Sequence, residues 1–264
     1  MTVLIMTDIE GISGVDLWEQ VHKEDWSGFE FARERLMADT NAAVEGAARA
    51  GADKIYVVDG HGAGTNFKPE LLDKRAIQLS VKDFLDILAR EKIDAYLEIG
   101  VHAKPGTINA FLEHTQSSKH WFAYRVNGKD YGEIVQSALY AGAYDVPFVM
   151  VSGDDATCRE AKECIGENVA VAEVKRGLSW KRAESLPLDE AERRIRDAAE
   201  DGIRRRNEIK PFKVSLPMTI EVTFLRADIC EEYLERFPNL ERVDSRTLRR
   251  VSNEIKTYKD VQLY

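Results

Sequence analysis

Long apolar runs, positive charge and cysteine are all scarce in this chain of 264 residues. No segment approaches the roughly 18 apolar residues that a membrane-spanning helix needs, and the first residues show neither a basic leader nor a cleavage pattern. The 37 lysines and arginines are outnumbered by 46 acidic residues, and the net charge of −9 argues against nucleic acid or an anionic membrane as a partner. We therefore expect a cytoplasmic protein that binds neither nucleic acid nor membranes.

The cysteines number only three, at positions 158, 164 and 230, and they lack the spacing of a paired metal or redox motif. None of them is next to a histidine or lies in a glycine-rich turn. We expect small, buried side chains in a reducing compartment, and no catalytic thiol among them.

Short apolar segments alternate with amphipathic segments along most of the chain. Four segments have the pattern of buried strands, and they cover residues 3–6, 54–58, 95–99 and 147–151. Helix-like segments such as 27–50 and 133–143 separate them, an order that predicts a mostly parallel sheet with flanking helices. This alternation stops near Pro211. The sequence thus predicts an α/β domain over residues 1–210 and a small α+β domain over residues 211–264.

The first strand ends directly in Asp8 and Glu10, two carboxylates separated by one residue. In an extended chain, residues i and i+2 point to the same side, so both side chains face one point at the carboxyl end of the strand. Open α/β sheets place their ligand sites at that edge. Two carboxylates at one point repel each other unless a cation or a proton lies between them. A solvated acidic turn is the simpler interpretation of this segment taken alone.

Histidines follow two other predicted strands in the same way, since His61 comes after residues 54–58 and His102 after residues 95–99. Glu133 begins a predicted helix, where the helix dipole alone would favour a carboxylate. His114 lies in a stretch without periodicity. Carboxylates and imidazoles without thiolates suit Zn²⁺, with Mn²⁺ as the alternative metal. Five or six such groups exceed the needs of one zinc ion, which predicts two ions per chain.

The order of these motifs resembles that of the DppA-type zinc D-aminopeptidases over about residues 1–175. The matching segments are Asp8-Ile9-Glu10-Gly11-Ile12-Ser13-Gly14, Asp59-Gly60-His61, Gly100-Val101-His102-Ala103, His114, residues 126–133 and Gly153-Asp154-Asp155-Ala156. The chain departs from the family pattern at Val101, where an aromatic residue is common, and at residues 110–113. These departures bear on the substrate more than on the metal.

The resemblance implies a dinuclear zinc site and a division of its ligands. Asp8 would bridge both ions, Glu10 and His61 would complete one of them, and His102 and Glu133 would complete the other. His114 would face the substrate as a catalytic residue without being a permanent ligand. The resemblance also implies a homo-oligomer, a ring-like decamer that admits only small peptides, and activity on D-aminoacyl peptides. Residues 18–26, with two tryptophans, could serve as an oligomer contact or a substrate lid.

A zinc site of this kind predicts hydrolysis of an amide, and the resemblance implies that the amide is the one after the N-terminal residue of a short peptide. Zinc lowers the pKa of a shared water toward about 7, so a metal-bound hydroxide can attack the carbonyl at neutral pH. His114 would either stabilise the oxyanion or protonate the leaving amine. Three alternatives stay open from the residues alone: hydrolysis of another small amide, hydrolysis of a phosphate ester with Mg²⁺, and non-catalytic peptide binding. The histidines disfavour Mg²⁺.

Overall fold

The computed structural model describes residues 1–24 and 26–264, and a seven-stranded sheet forms its centre. The strand order is β3-β2-β1-β4-β7-β8-β9, and every neighbouring pair is parallel except β8 with β9. The seven strands are β1 (Thr2–Thr7), β2 (Lys54–Asp59), β3 (Ala76–Leu79), β4 (Ala95–Ile99), β7 (Phe148–Asp154), β8 (Ala170–Ser179) and β9 (Arg182–Ser185). The predicted mostly parallel sheet is confirmed.

Helices cover both faces of this sheet because successive strand residues point to opposite sides. In β1, Val3 and Ile5 pack in one hydrophobic core with helices α1 and α6, whereas Leu4 and Met6 pack in the other core with α4. The helices are α1 (Trp26–Arg49), α2 (Val81–Phe84), α3 (Ile87–Arg90), α4 (Glu133–Ala143), α5 (Asp155–Ile165), α6 (Leu188–Arg204) and α7 (Ala227–Arg236). Of the helices in the described residues, none is long and apolar enough to cross a membrane.

A second, antiparallel sheet packs against α4 on the side of the core that contains Leu4 and Met6. Its strands are β5 (Trp121–Val126), β6 (Lys129–Tyr131), β10 (Met218–Phe224), β11 (Glu241–Arg242) and β12 (Thr247–Ser252), in the order β11-β12-β10-β5-β6. Asn127 and Gly128 join β5 to β6 with positive φ angles of 50° and 78°, which the tight hairpin turns favoured by Asn-Gly require. The sheet combines strands from both sides of residue 211. The division of the chain at that residue stays a prediction.

The elements that differ from the sequence pattern are short or lie at edges. Strands β3 and β9 have four residues each, lie at the two edges of the central sheet and lack an apolar run. Residues 81–90 form two separate helical turns, because Asp86 adopts a non-helical φ of −132° between them. The long helix α6 ends at Arg204, and a short 3-10 turn follows it.

Candidate metal centre

Three adjacent strands of the central sheet deliver the predicted site residues to one edge. Strand β1 pairs with β2 on one side and with β4 on the other, and Thr7 is in register with both Asp59 and Ile99. The turns that follow these three strand ends carry Asp8, His61 and His102. Parallel pairing therefore brings together residues that are far apart in the sequence. His61 follows Asp8 by 53 positions, and His102 follows His61 by 41 positions.

The turn after β1 lies tightly against the turn after β4, and this close approach requires glycine. The Gly11 amide donates to the carbonyl oxygen of Gly100 at 2.7 Å. A Cβ atom on Gly11 would lie 2.1 Å from the carbonyl oxygen of Val101, which is closer than any real contact. Gly11 thus allows the segments that carry Glu10 and His102 to touch.

Two buried residues with ionisable side chains, Lys175 and Asp39, form hydrogen bonds with the backbone of the turn after β1. The Lys175 ammonium, on β8, donates to the carbonyl oxygens of Glu10, Ile12 and Val15 at 2.6, 3.0 and 2.5 Å. The carboxylate of Asp39, on α1, accepts from the Ser13 amide at 2.8 Å and from its hydroxyl at 2.7 Å. Our sequence analysis missed Lys175 and Asp39, because no local pattern links them to the turn.

The first group of candidate ligands comprises Asp8, Glu10 and His61. The His61 Nδ1 atom lies 3.0 Å from Asp8 Oδ1 and 3.0 Å from Glu10 Oε2. One donor atom from each residue lies within 4.8 Å of the others, so a single metal ion fits among them. All three side chains are at least three-quarters buried, which keeps bulk water from competing for the ion.

The second group comprises His102, His114 and Glu133, with donor atoms that again lie within 4.8 Å of one another. His102 donates from Nδ1 to the Ala103 carbonyl oxygen at 3.1 Å, so Nε2 is the ring nitrogen left to hold a proton or a metal ion. That Nε2 lies 3.4 Å from both Asp8 Oδ2 and Glu133 Oε1, is buried and has no hydrogen-bond partner. Asp8 therefore turns one oxygen toward each group, the arrangement expected of a bridging ligand.

His114 lies closer to the ligands than a residue that faces only the substrate needs to be. Its ring stacks on that of His102 with the ring centres 3.8 Å apart. Its Nδ1 donates to the Leu112 carbonyl oxygen at 2.7 Å, so Nε2 is left to accept a proton or a metal. The geometry brings His114 together with the five predicted ligands, and its role as a non-ligand stays a prediction.

The electrostatics of the two groups fit divalent cations. Burial, with the nearby Glu10 charge, raises the pKa of Asp8 to about 7. Burial would lower the pKa of His102, but Glu133 and Asp8 outweigh it and raise that pKa to about 10. Without a metal, Asp8 and His102 thus hold their protons more strongly than usual, and a bound cation would displace those protons. Together with the unpartnered Nε2 of His102, this donor set fits zinc.

The site lies in a cavity of about 680 Å³ between the central sheet, the segment after His114 and the C-terminal segment. Met6, Val58, Phe84 and Tyr258 contribute apolar surface to its wall, and His22 also lines it. Two residues at positions that depart from the family pattern do not line this cavity. Val101 and Phe111 are each 1% exposed and form no part of this wall among the described residues.

Two further acidic residues of the matching motifs support loops instead of facing the cavity. Asp59 accepts from the backbone amides of Asn66 and His61 at 2.5 and 3.3 Å and so shapes the loop that carries His61. Asp154 accepts from the Phe111 amide at 2.8 Å and caps α5 through Thr157. Both carboxylates are 2% exposed or less.

Comparison with known proteins identifies the family. A model of the family described as D-aminopeptidase matches residues 1–262. The chain belongs to the D-aminopeptidase family. Among members of that family, the D-aminopeptidase of Bacillus subtilis (strain 168) is 29% identical over 222 residues, which is 80% of this chain and 77% of the relative. The family inferred from the motifs is confirmed.

The fold of this D-aminopeptidase family member is shared with a solved structure. The Zn-dependent D-aminopeptidase DppA from Bacillus subtilis, described as a self-compartmentalizing protease, matches with a TM-score of 0.89. The match covers 100% of this chain and 96% of that chain, at 24% sequence identity. The similarity confirms the α/β architecture with its additional antiparallel sheet.

Proposed function

We propose that this member of the D-aminopeptidase family is a zinc hydrolase that removes the N-terminal residue from short D-aminoacyl peptides or amides. The observation that carries the proposal is the pair of buried ligand groups that share Asp8 at the floor of one cavity. Membership of the family supports the reaction class, and the relatives from Bacillus subtilis support D residues and zinc.

We assign two zinc ions to each chain, with Mn²⁺ as the alternative. One would be held by Glu10 and His61, the other by His102 and Glu133, with Asp8 between them. When bound, the metal supplies Lewis acidity toward the substrate carbonyl and toward a water. The support for two ions is that two separate triads of donor atoms exist, and that each lies within 4.8 Å internally.

His114 is our candidate for the proton transfer to the leaving amine. The hydrogen bond from its Nδ1 to Leu112 fixes the ring, so Nε2 is the atom that can hold or release a proton in the site. Burial, together with the charge of His102, keeps the pKa of His114 below its usual value. A general acid or base near neutrality is worth about 10²–10⁴ in rate.

The protein surface outside the cavity supports a proposal of self-association. Trp26 is 66% exposed and Ile108 is 83% exposed, and both are large apolar side chains. We propose a homo-oligomer, and a decamer as its specific form, because the structural relative is described as self-compartmentalizing. The cytoplasmic location stays a prediction, which the free thiols of all three cysteines support.

One experiment tests the reaction and the metal together. Protein purified without chelator is assayed for zinc by elemental analysis and for turnover of D-alanyl and L-alanyl amides, with p-nitrophenyl phosphate as a comparison substrate. We expect about two zinc ions per chain, turnover of the D-alanyl amide and loss of that turnover in chelator. Turnover of the phosphate ester alone would favour a phosphohydrolase. Binding of peptide without any turnover would favour a peptide-binding protein.

A further inference from the structure

We infer that Lys119 and Lys259 form a subsite for the carboxylate of the substrate, so that the enzyme selects short peptides with a free C-terminus. The inference rests on the proposed function and specifies its substrate. Both lysines line the cavity that contains the two ligand groups. They come from separate segments: Lys119 lies five residues after His114, and Lys259 lies in the C-terminal 3-10 turn Tyr258–Val261.

Neither lysine has a partner for its ammonium group among the described residues. The acid nearest to Lys259 in sequence, Asp260, is already occupied. Its carboxylate pairs with Arg250 at 3.0 Å and accepts from the Thr257 amide at 2.9 Å. Both lysines are exposed to solvent. An anion that enters the cavity therefore meets two cations that no protein carboxylate neutralises.

The segments that carry the two lysines are fixed relative to the metal centre. The Gln116 amide donates to Glu133 Oε1 at 2.7 Å, and the Gln262 side chain donates to that of Gln116 at 2.9 Å. One chain of hydrogen bonds thus runs from a candidate ligand through the segment of Lys119 to the segment of Lys259. The two segments that carry the lysines therefore keep a defined position with respect to the candidate ligand Glu133.

The charge of the whole cavity favours an anionic substrate group. Within the described lining, the only carboxylates are Asp8, Glu10 and Glu133, and all three belong to the ligand groups. Two zinc ions would more than balance these three charges, which leaves the lysines uncompensated. The chain as a whole has a net charge of −9, so this local positive charge runs against the general trend of the molecule.

The size of the cavity fits a peptide of two or three residues between the two ends. A sphere of 680 Å³ is about 11 Å across, and three extended residues span about 10–11 Å. A substrate with its N-terminal residue at the metal centre would place its C-terminus near the lysines. Val58, Phe84 and Tyr258 line the same cavity with apolar surface that suits small aliphatic side chains.

The test compares three substrates on the zinc-loaded enzyme. They are D-alanyl-D-alanine, D-alanyl-D-alaninamide, and D-alanyl-D-glutamic acid α-amide, whose only carboxylate is in the side chain. We expect kcat/KM for the free acid to exceed that for the amide by about tenfold or more, mainly through a lower KM. The third compound separates the two sources of a carboxylate, and we expect it to behave like the amide.

Lys119→Gln and Lys259→Gln should each reduce the preference for the free acid, and the double variant should abolish it. Turnover of the amide should stay near the wild-type value in the two single variants and in the double variant. A structural defect would instead lower the turnover of the free acid and of the amide alike. Lys210→Gln, an exposed lysine outside the cavity, is the matched control and should change neither. Calorimetry with the reduced-bond isostere of D-alanyl-D-alanine gives a second readout, in which the double variant should bind the acid and its amide equally.

Different results would overturn the proposed carboxylate subsite and the proposed hydrolytic function. Equal kcat/KM for acid and amide in the wild type would overturn the subsite alone, and so would an acid preference that survives in the double variant. A side-chain carboxylate that is favoured as strongly as the C-terminal one would overturn the assignment to the C-terminus. Failure to cleave any of the three compounds would overturn the proposed function, and the subsite with it.

Discussion

Replacement of Lys175 by methionine should weaken metal binding while it leaves the fold nearly intact. Methionine has a similar length and no charge, so it removes the ammonium that holds the turn of Asp8 and Glu10 without opening a large cavity. Lys175 is 1% exposed, and its ammonium contacts three carbonyl oxygens of that turn. The variant therefore tests whether the turn needs this support in order to present its carboxylates.

The expected loss of global stability is small because two contributions oppose each other. The carbonyl oxygen of Ile12 also accepts from the Val15 amide, so the substitution leaves two carbonyls, those of Glu10 and Val15, without a donor. Each costs about 1–3 kcal/mol, or about 4 kcal/mol together. Burial lowers the pKa of Lys175 from 10.5 to about 8, so the charged group costs about 3 kcal/mol, which the variant regains. The net loss is about 1 kcal/mol.

Zinc affinity should fall much further than stability, by about 10–100-fold, the usual effect of removing a group that orients a metal ligand. Urea unfolding of the metal-free protein measures the first quantity, and competition with a chromophoric chelator measures the second. Lys74→Met is the matched control, since Lys74 is exposed and distant in sequence from the turn. Zinc affinity within twofold of wild type would refute the positioning role. A stability loss above about 4 kcal/mol would refute the energy balance.

Three further predictions concern other parts of the site. His114→Ala should lose about 10²–10⁴-fold in kcat and keep its zinc, whereas His102→Ala should lose zinc; a zinc loss in His114→Ala would make His114 a ligand. Burial raises the pKa of Asp39 from 3.8 to about 6, so its contribution to stability is present below pH 4 and lost as the pH rises through 6. The free energy of unfolding of Asp39→Asn, measured in urea relative to wild type, should therefore rise by about 3 kcal/mol between pH 4 and pH 7. A stability difference that does not change with pH would contradict this. Gly11→Ala should lose both stability and zinc, because its Cβ meets the Val101 carbonyl, and a wild-type melting temperature would disprove that clash.

The sequence predicts the strand ends well because their signal is local. A buried strand needs only a short apolar run, and the residue that follows it must lie at the sheet edge. Asp8, His61 and His102 could therefore be placed without knowledge of any contact. The start of a helix has its own local pattern, which placed Glu133 correctly at the first residue of α4, whereas its role as a ligand came only from the family resemblance and stays a prediction.

Residues that support the site from a distance could not be found in this way. Lys175 lies on a strand whose apolar neighbours predict burial, and a buried lysine is the exception to such a pattern. Its partners are 160 to 165 residues away along the chain. Asp39 lies on the buried face of a helix and contacts Ser13, again a pairing that only the fold creates. The edge strands β3 and β9 were missed because half-exposed strands of four residues carry little apolar signal.

Asp8 presents Oδ1 to one ligand group and Oδ2 to the other, and this has a consequence for the way the site fills. The affinity of either half for its ion must depend on whether the other half is occupied, because both ions would draw on the same carboxylate. Thermodynamic linkage makes this dependence reciprocal, so each ion changes the affinity for the other by the same factor. In the proposed two-ion site, the two positions would consequently be a single cooperative unit, and a change at Asp8 would alter both of them at once.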